Sequence, residues 1–138
     1  MSISERISPL IGRLALAWFF LSEAWARAHA WQPTVSMLRA AGVSAAEPLL
    51  VLALVVMVLG GVSLVLGFHA RHGAVLLFGF TIAVTILLHA YWKVADEGAR
   101  LADYEIFARN IAISGALLMI VGLGAGPFAV DSIGRKKS

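Results

Sequence analysis

The chain has 138 residues, of which 60% are hydrophobic and 14% charged, and its mean hydropathy is +0.88. Soluble domains carry about 25% charged residues, so this chain has too little polar material to cover a soluble surface. The net charge of +3 comes without a basic stripe interleaved with aromatic residues, so nothing indicates nucleic-acid binding. The absence of cysteine excludes disulfide exchange and thiolate metal sites.

Four apolar stretches are each about long enough to cross a bilayer, which requires roughly 20 residues of helix. In lipid a helix satisfies its own backbone hydrogen bonds, so each stretch is expected to be helical. The sequence therefore predicts one all-α domain, an integral membrane antiparallel four-helix bundle. The predicted spans cover residues 9–28, 48–68, 73–92 and 106–128.

Helix start and stop residues mark parts of this pattern. Pro9 suits the first turn of a helix, and Ser44 and Glu47 have capping-box spacing before the second span. Between the first two spans, Pro33 can start a short helix and Gly42 can stop it. Apolar residues recur there at helical spacing, so we predict a short interfacial helix, with a plain loop as the alternative.

The connections set the order of the bundle. Only residues 69–72 join the second and third spans, which requires antiparallel neighbours. Residues 93–105 are predicted to form the longest polar loop. The first apolar run has no small-residue cleavage site after it, so we expect an anchor that is retained. Small residues within the spans are expected to mark helix contacts, among them Gly60, Gly61, Gly79 and Gly115.

The orientation in the membrane is only weakly determined by charge. Four spans place both termini on one side, and the positive-inside bias between the two sides is slight. The basic tail of Arg135, Lys136 and Lys137 favours both termini in the cytoplasm of an inner-membrane protein, where the tail would meet anionic headgroups. The polar cluster described below would then lie toward the outer face.

Four pieces of the sequence, in order and at matching spacing, are similar to the DoxX family of small four-helix membrane proteins. The resemblance covers nearly the whole chain and implies a membrane protein tied to redox metabolism. Some family members are described as subunits of quinone-linked oxidoreductases, and others as partners of oxidative-stress enzymes. The pieces are GRLALAWFFLSEAWAR (12–27), LGGVSLVLGFHARHGAVLL (59–77), LLHAYW (87–92) and FARNIAISGALLMIVG (107–122).

The sequence departs from the family pattern at two places. The family commonly has an acidic residue three positions before the paired glycines of the second helix, where this chain has Met57. It often has a small residue and then a lysine near the end of the first helix, where this chain has Glu23 and Arg27. The resemblance therefore implies that a second-helix carboxylate role is lost or moved, with Glu23 as a possible replacement.

A candidate ligand site lies near one predicted membrane face. His89 is expected about one turn inside the third span, and Arg109 and Asn110 about one turn inside the fourth. These three side chains can donate hydrogen bonds to the carbonyl oxygens of a quinone-like ring, with Trp25 or Trp92 as a stacking wall. The alternatives are a hydrogen-bond network that locks the third helix to the fourth, and an aromatic belt at the interface.

Two further charged positions belong to the candidate site. Glu23 and Arg27 are four residues apart with the acid first, which favours an ion pair on one helix face. Arg13 lies about one turn inside the first span, where it is expected either to snorkel to the headgroups or to face the bundle and hold an anionic or carbonyl group.

The chain lacks the motif of a self-contained enzyme. There is no phosphate loop and no HExxH, and no carboxylates stand at metal-ligand spacing, so a metal site is not expected. We predict a membrane subunit or anchor of a redox system that binds a quinone or another lipophilic ligand, together with a protein partner or a second copy. The alternatives are a structural or assembly subunit of a larger membrane complex and a small-molecule transporter.

Overall fold

The computed structural model describes residues 1–135. Lys136 and Lys137 of the basic tail lie outside the described residues, so their contact with headgroups stays a prediction. The described chain is all-α, as predicted, and α1, α3, α4 and α5 are each long and apolar enough to cross a membrane. The helices are α1 (Ile3–His29), α2 (Trp31–Ala40), α3 (Ala46–Leu66), α4 (Ala70–Leu88), α5 (Glu97–Leu123) and α6 (Val130–Arg135), with a 3₁₀ turn at Tyr91–Lys93.

The four long helices pack in the order α1, α3, α4, α5, and α2 packs on α3. Helices α1 and α5 barely touch, so one side of the bundle is open. The buried core is built from all four long helices, with residues such as Phe20, Met57, Leu77 and Leu117. A smaller core of Val35, Leu38, Ala46 and Leu50 holds α2 against the start of α3.

Some of the small residues lie at helix contacts. An added Cβ at Gly60 would collide with the Leu77 side chain, and one at Gly73 would collide with Ser63. These two glycines therefore allow α3 and α4 to approach closely, which is how helices associate in lipid. Gly79 and Gly115 differ from the prediction, because a Cβ at either would meet nothing within 4 Å among the described residues.

Helix α1 begins earlier than predicted. Ser2 is its N-cap, and a capping box joins Ser2 to Glu5: the Glu5 N–H donates to Ser2 Oγ at 3.3 Å, and the Ser2 N–H donates to Glu5 Oε2 at 2.6 Å. Pro9 consequently lies inside the helix rather than in its first turn. The cap extends α1 by more than a turn beyond the predicted span because it satisfies otherwise free N–H groups.

The region of α2 confirms one prediction and corrects another. The short helix between the first two spans is present, and the chain turns after it at Gly42, which has a φ of +88°. The predicted capping box of Ser44 and Glu47 does not form, because Ala45 is the N-cap of α3 and has no side-chain cap. Glu47 instead pairs with Arg39 of α2 at 3.0 Å.

The boundary between α4 and α5 differs most from the prediction. Helix α4 ends at Leu88, so His89 is its C-cap and does not lie one turn inside. Helix α5 begins at Glu97, so most of the predicted polar loop at 93–105 is helical. Asp96 caps this helix by accepting a hydrogen bond from the Ala99 N–H at 2.9 Å. The polar residues of this segment thus form the first turns of α5.

The chain after α5 folds back onto the turn between α3 and α4. The Asp131 carboxylate accepts hydrogen bonds from the N–H groups of His69 at 2.8 Å and Ala70 at 3.0 Å. The Asp131 N–H donates to the Gly67 carbonyl oxygen at 2.9 Å. Gly67 and His69 both have a positive φ, +64° and +48°. Asp131 therefore caps the start of α4 from a distant part of the chain.

Candidate ligand-binding site

A cavity of about 590 Å³ lies between the helices and receives side chains from α1 to α5. Its volume is in the range of small-molecule sites, which are mostly apolar with a few placed polar groups. The wall is largely apolar and includes Phe19, Phe20, Leu50, Met57 and Phe80. One set of polar residues, which we call the cavity end, comprises Glu23, Arg27, His89, Arg109 and Asn110.

Glu23 and Arg27 form the predicted ion pair on the face of α1. Arg27 Nη1 donates to a carboxylate oxygen of Glu23 and lies 3.3 Å from the Glu23 carbonyl oxygen. The two side chains are about one-third exposed, so solvent or headgroups screen the pair. Met57, which stands where the family commonly has an acid, is buried and lines the same cavity as Glu23.

His89 and Asn110 are each held by a partner on the neighbouring helix. His89 Nδ1 lies 3.2 Å from Asp103 Oδ1, which ties the end of α4 to the second turn of α5. Asn110 Nδ2 donates to Thr85 Oγ1 at 2.9 Å, and Thr85 Oγ1 donates to the Thr81 carbonyl oxygen at 2.6 Å. Both contacts join α4 to α5. They agree with the predicted alternative in which these polar residues form a hydrogen-bond network between the third and fourth spans.

Thr81 adds a polar atom whose hydrogen-bonding capacity is not used within the described chain. Its side chain is 4% exposed and lines the cavity, and its Oγ1 is buried without a hydrogen-bond partner among residues 1–135. A buried hydroxyl without a partner has a free-energy penalty of about 1–3 kcal/mol. Thr81 therefore combines a place on the cavity wall with a buried hydroxyl that has no partner within residues 1–135.

Arg109 is the cation of the cavity end that has no ion pair within the described part of the chain. Its side chain is exposed, and its guanidinium carbon lies 5.5 Å from the centre of the Phe19 ring. Cations at this distance are attracted to the face of an aromatic ring. Arg109 thus crosses from α5 to α1 on the side where these two helices leave the bundle open.

The two tryptophans do not form the predicted stacking wall. Trp25 is 70% exposed and packs on His29 with ring centres 4.2 Å apart. Trp92 is 55% exposed and contacts Tyr91 and Phe107 edge to face. Neither lines the cavity, because both project from the outer surface of the helices. The aromatic rings on the wall are those of the phenylalanines.

The structure separates Arg13 from the rest of the predicted site. Arg13 is 2% exposed, so it does not snorkel, and it lies near the start of α1. Its Nη1 donates to the Ala125 carbonyl oxygen at 2.5 Å and its Nη2 to the Phe128 carbonyl oxygen at 2.7 Å. Arg13 therefore holds the chain that follows α5 against α1.

Sequence reasoning missed Asp103, Thr81 and Thr85. The predicted polar loop includes Asp103, whereas Asp103 lies in α5, seven residues or about two turns before Asn110 and therefore on the same helical face. Thr81 and Thr85 have the spacing of one turn on α4, which would have placed both on one face. The spacing of polar residues along each helix is therefore the sequence signal that groups these positions on one face.

Comparisons with known proteins agree with this architecture. Residues 8–90 match the model of the DoxX family, a match that includes His89 and ends before α5. The chain is 27% identical over 135 residues to "Inner membrane protein YqjF" of Escherichia coli (strain K12), covering 96% of each chain. It is 27% identical over 122 residues to "Inner membrane protein YphA" of the same organism, covering 88% of this chain and 86% of that protein. No solved structure matches.

Proposed function

The chain belongs to the DoxX family, and we propose that it is a membrane subunit of a redox system that binds a quinone or a similar lipophilic ring compound. The observation that carries the proposal is the cavity of about 590 Å³ with polar groups gathered at the cavity end. An apolar ring fits the phenylalanine-lined wall, while its polar atoms require partners at one end.

The polar groups on the wall favour a ligand that accepts hydrogen bonds. Arg27, Arg109 and Asn110 are donors, and the free hydroxyl of Thr81 can donate as well. Glu23 already accepts from Arg27, and Asp103 faces His89. A quinone carries carbonyl oxygens, which accept and do not donate. Arg109 and Thr81 would donate hydrogen bonds to such oxygens. Within residues 1–135, the Arg109 guanidinium has no ion pair and the Thr81 hydroxyl has no hydrogen-bond partner.

The proposal includes a protein partner that carries the electron-transfer cofactor. Residues 1–135 contain no group of three or more His, Cys, Asp or Glu side chains that would hold a metal ion. The role proposed for this chain is therefore to bind and orient the ring compound and to keep it at the partner's surface. The chemistry that such a compound supplies is the uptake and release of electrons.

The location is proposed from the relatives and the charge pattern. Both Escherichia coli relatives are named inner membrane proteins. We place this chain in an inner membrane with both termini in the cytoplasm and the cavity end toward the outer face. Fusions of a periplasm-dependent phosphatase after Ser138 and within 93–96 test this orientation. Activity of the fusion at 93–96 alone is expected, and activity of the C-terminal fusion alone would reverse it.

Direct binding tests the proposal. The protein in lipid nanodiscs is titrated with decylubiquinone, and the affinity is compared among variants. Thr81→Val keeps the shape and removes the free hydroxyl, and we expect about a fivefold to tenfold loss of affinity. Ser22→Ala is the matched control, because the Ser22 hydroxyl bonds the Phe19 carbonyl oxygen and is not on the cavity wall. Unchanged affinity in both Thr81→Val and His89→Ala would reject the site.

A second candidate function is a structural subunit of a larger membrane complex. The contacts of His89 with Asp103 and of Asn110 with Thr85 favour it, because they join α4 to α5 without a ligand. Purification in mild detergent, followed by mass spectrometry of proteins and extracted quinones, separates the two. A redox enzyme or stoichiometric quinone supports the first function, and a large assembly with only ordinary lipid supports the second.

A further inference from the structure

A second cavity of about 700 Å³ lies between α1 and α5, on the open side of the bundle. It runs along residues 8–19 of α1, which is about 16 Å at 1.5 Å per residue. Its wall is apolar for most of this length, with Leu16, Phe19, Ile113, Met119, Ile120 and Leu123. We call it the α1–α5 groove.

The groove and the ligand cavity share two wall residues, Phe19 and Arg109. Arg109 reaches over the Phe19 ring at the point where the two spaces meet. Beyond this pair, the largely apolar wall of the cavity also carries the other polar groups of the cavity end, whereas most side chains that line the groove are aliphatic. The cavity and the groove therefore lie on the two sides of a common wall formed by Phe19 and Arg109.

From this adjacency we propose that the ligand is a long-tailed amphiphile whose ring or headgroup occupies the cavity and whose hydrocarbon tail passes beside the Phe19 and Arg109 side chains into the α1–α5 groove. The inference rests on the proposed function and adds the class of ligand and its route. The groove opens to the side of the bundle, so the ligand enters from the bilayer between α1 and α5. Arg109, at the junction, contacts the polar part while Phe19 contacts the start of the tail.

The charges along the path agree with this direction. Among residues 1–135, the charged residues on the groove wall are two arginines, Arg13 and Arg109, and no acidic residue lines the groove. Neither arginine has an ion pair within residues 1–135, but two guanidinium nitrogens of Arg13 donate to carbonyl oxygens, whereas Arg109 makes only its contact with the Phe19 ring there. An unpaired cation beside an apolar channel favours an oxygen-bearing headgroup at its own end of the channel. The tail consequently extends toward α1's first turns.

Photolabelling tests the position of the tail. The probe is a decylbenzoquinone with a diazirine at the end of its ten-carbon tail, used on the full protein in nanodiscs. Labelled residues are located by mass spectrometry, with excess decylubiquinone as competitor. We expect competed labels on the groove walls, within 12–16 and 113–120. Competed labels confined to α3 or α4 would overturn the proposal.

Two matched variants on α5 sharpen the test. Ala116→Phe fills the groove, and we expect about threefold less competed labelling there, because an added ring in a formed channel displaces what occupies it. Gly115→Phe adds the same ring at a position where a Cβ meets nothing within 4 Å, and we expect no change. If competed labelling of the groove walls is the same in Ala116→Phe and Gly115→Phe, the proposal that the tail lies in the groove is wrong.

The two proposals fail in different ways. If decylubiquinone binds saturably and depends on Thr81 and His89, but no competed label falls in the groove, the tail assignment is wrong and the ligand site stands. If no saturable binding occurs, both are wrong. If a tail-less dimethoxy-methylbenzoquinone loses affinity in Ala116→Phe as much as decylubiquinone does, the variant has damaged the cavity itself, and the groove is not a separate tail site.

Discussion

Two arginines in apolar helices of this bundle have opposite surroundings. Arg13, near the start of α1, is buried and donates to the carbonyl oxygens of Ala125 and Phe128. Arg109, in α5, is exposed and faces an aromatic ring and two cavities. The sequence alone indicates both as candidate ligand residues, because a charged side chain within a membrane span has a free-energy cost and is generally paired or functional.

The comparison extends from the arginines to the regions around them. Near Arg13, polar side chains are used to fasten the chain: Asp131 caps α4, and the segment after α5 is tied to α1. On the cavity wall, by contrast, Arg109 has no ion pair and the Thr81 hydroxyl has no hydrogen-bond partner within residues 1–135. Polar residues near Arg13 thus stabilise the fold, whereas those on the cavity wall include groups that make no such contact within residues 1–135.

Replacing Arg13 gives the largest expected effect on stability. Arg13→Met leaves two carbonyl oxygens without their donor, and we expect a loss of about 3 kcal/mol in the free energy of unfolding. Arg13→Lys restores a charge but not the two-pronged donor, so its loss is expected to be intermediate. Unfolding in mixed micelles with increasing SDS measures both. A variant with wild-type stability would show that Arg13 does not fasten the chain after α5.

Arg109 is expected to behave in the reverse way. Arg109→Met removes a charge without an ion pair, so the free energy of unfolding should change by less than about 0.5 kcal/mol. Decylubiquinone affinity should fall about tenfold, because a charge-assisted hydrogen bond to the headgroup is lost. Arg100→Gln on the same helix is the control, since Arg100 is exposed, bonds the Ala95 carbonyl oxygen and lines neither cavity. If Arg109→Met strongly destabilises the protein and leaves the decylubiquinone affinity unchanged, Arg109 has a structural role like that of Arg13 and no role in binding.

Asp131 should show a smaller stability effect at the Arg13 end. Asp131→Ala removes the acceptor of two N–H groups at the start of α4, and loss of a helix cap is worth about 1 kcal/mol. Asp131→Asn keeps one acceptor oxygen and should lose less. Hydrogen exchange of the N–H groups of His69 and Ala70 reports the cap directly. Unchanged protection of these groups in Asp131→Ala would exclude the capping role.

Local sequence pattern was sufficient for the helices and for contacts within them. Hydropathy predicts the four spanning helices, helical spacing of apolar residues predicts the short helix α2 with its stop near Gly42, and the four-residue spacing of Glu23 and Arg27 predicts their ion pair. The start of α2 at Trp31 lies two residues before the predicted start at Pro33. Each of these predictions depends on residues within about one turn of each other or on composition over one span. Such features are visible without knowledge of the fold.

Long-range contacts and rotation about the helix axis were not predictable in the same way. The partners of Arg13 lie 112 and 115 residues away in a segment without strong periodicity. Trp25 lies between Glu23 and Arg27 in the sequence, but its side chain projects outward. His89 is the C-cap residue of α4, and its side chain contacts Asp103 of α5. Because nearly all faces of these helices are apolar, the pattern of hydrophobic residues does not fix which face turns inward.

Replacing Glu23 is expected to change stability and affinity least. The substitution tests whether Glu23 replaces the carboxylate that the family commonly has at the position of Met57. Its pair with Arg27 is partly exposed, so Glu23→Gln should change the free energy of unfolding by less than about 0.5 kcal/mol. If Glu23 only neutralises Arg27, decylubiquinone affinity should rise by at most about twofold, since one more donor is freed. If Glu23 has taken over the family's carboxylate role, affinity should fall, and Glu23→Gln combined with Met57→Glu should restore it, because both positions line the same cavity. If Glu23→Gln lowers the decylubiquinone affinity and Met57→Glu does not restore it, Glu23 acts at its own position through Arg27. In that case the acidic residue that sets the charge of this site lies on α1 and not on α3.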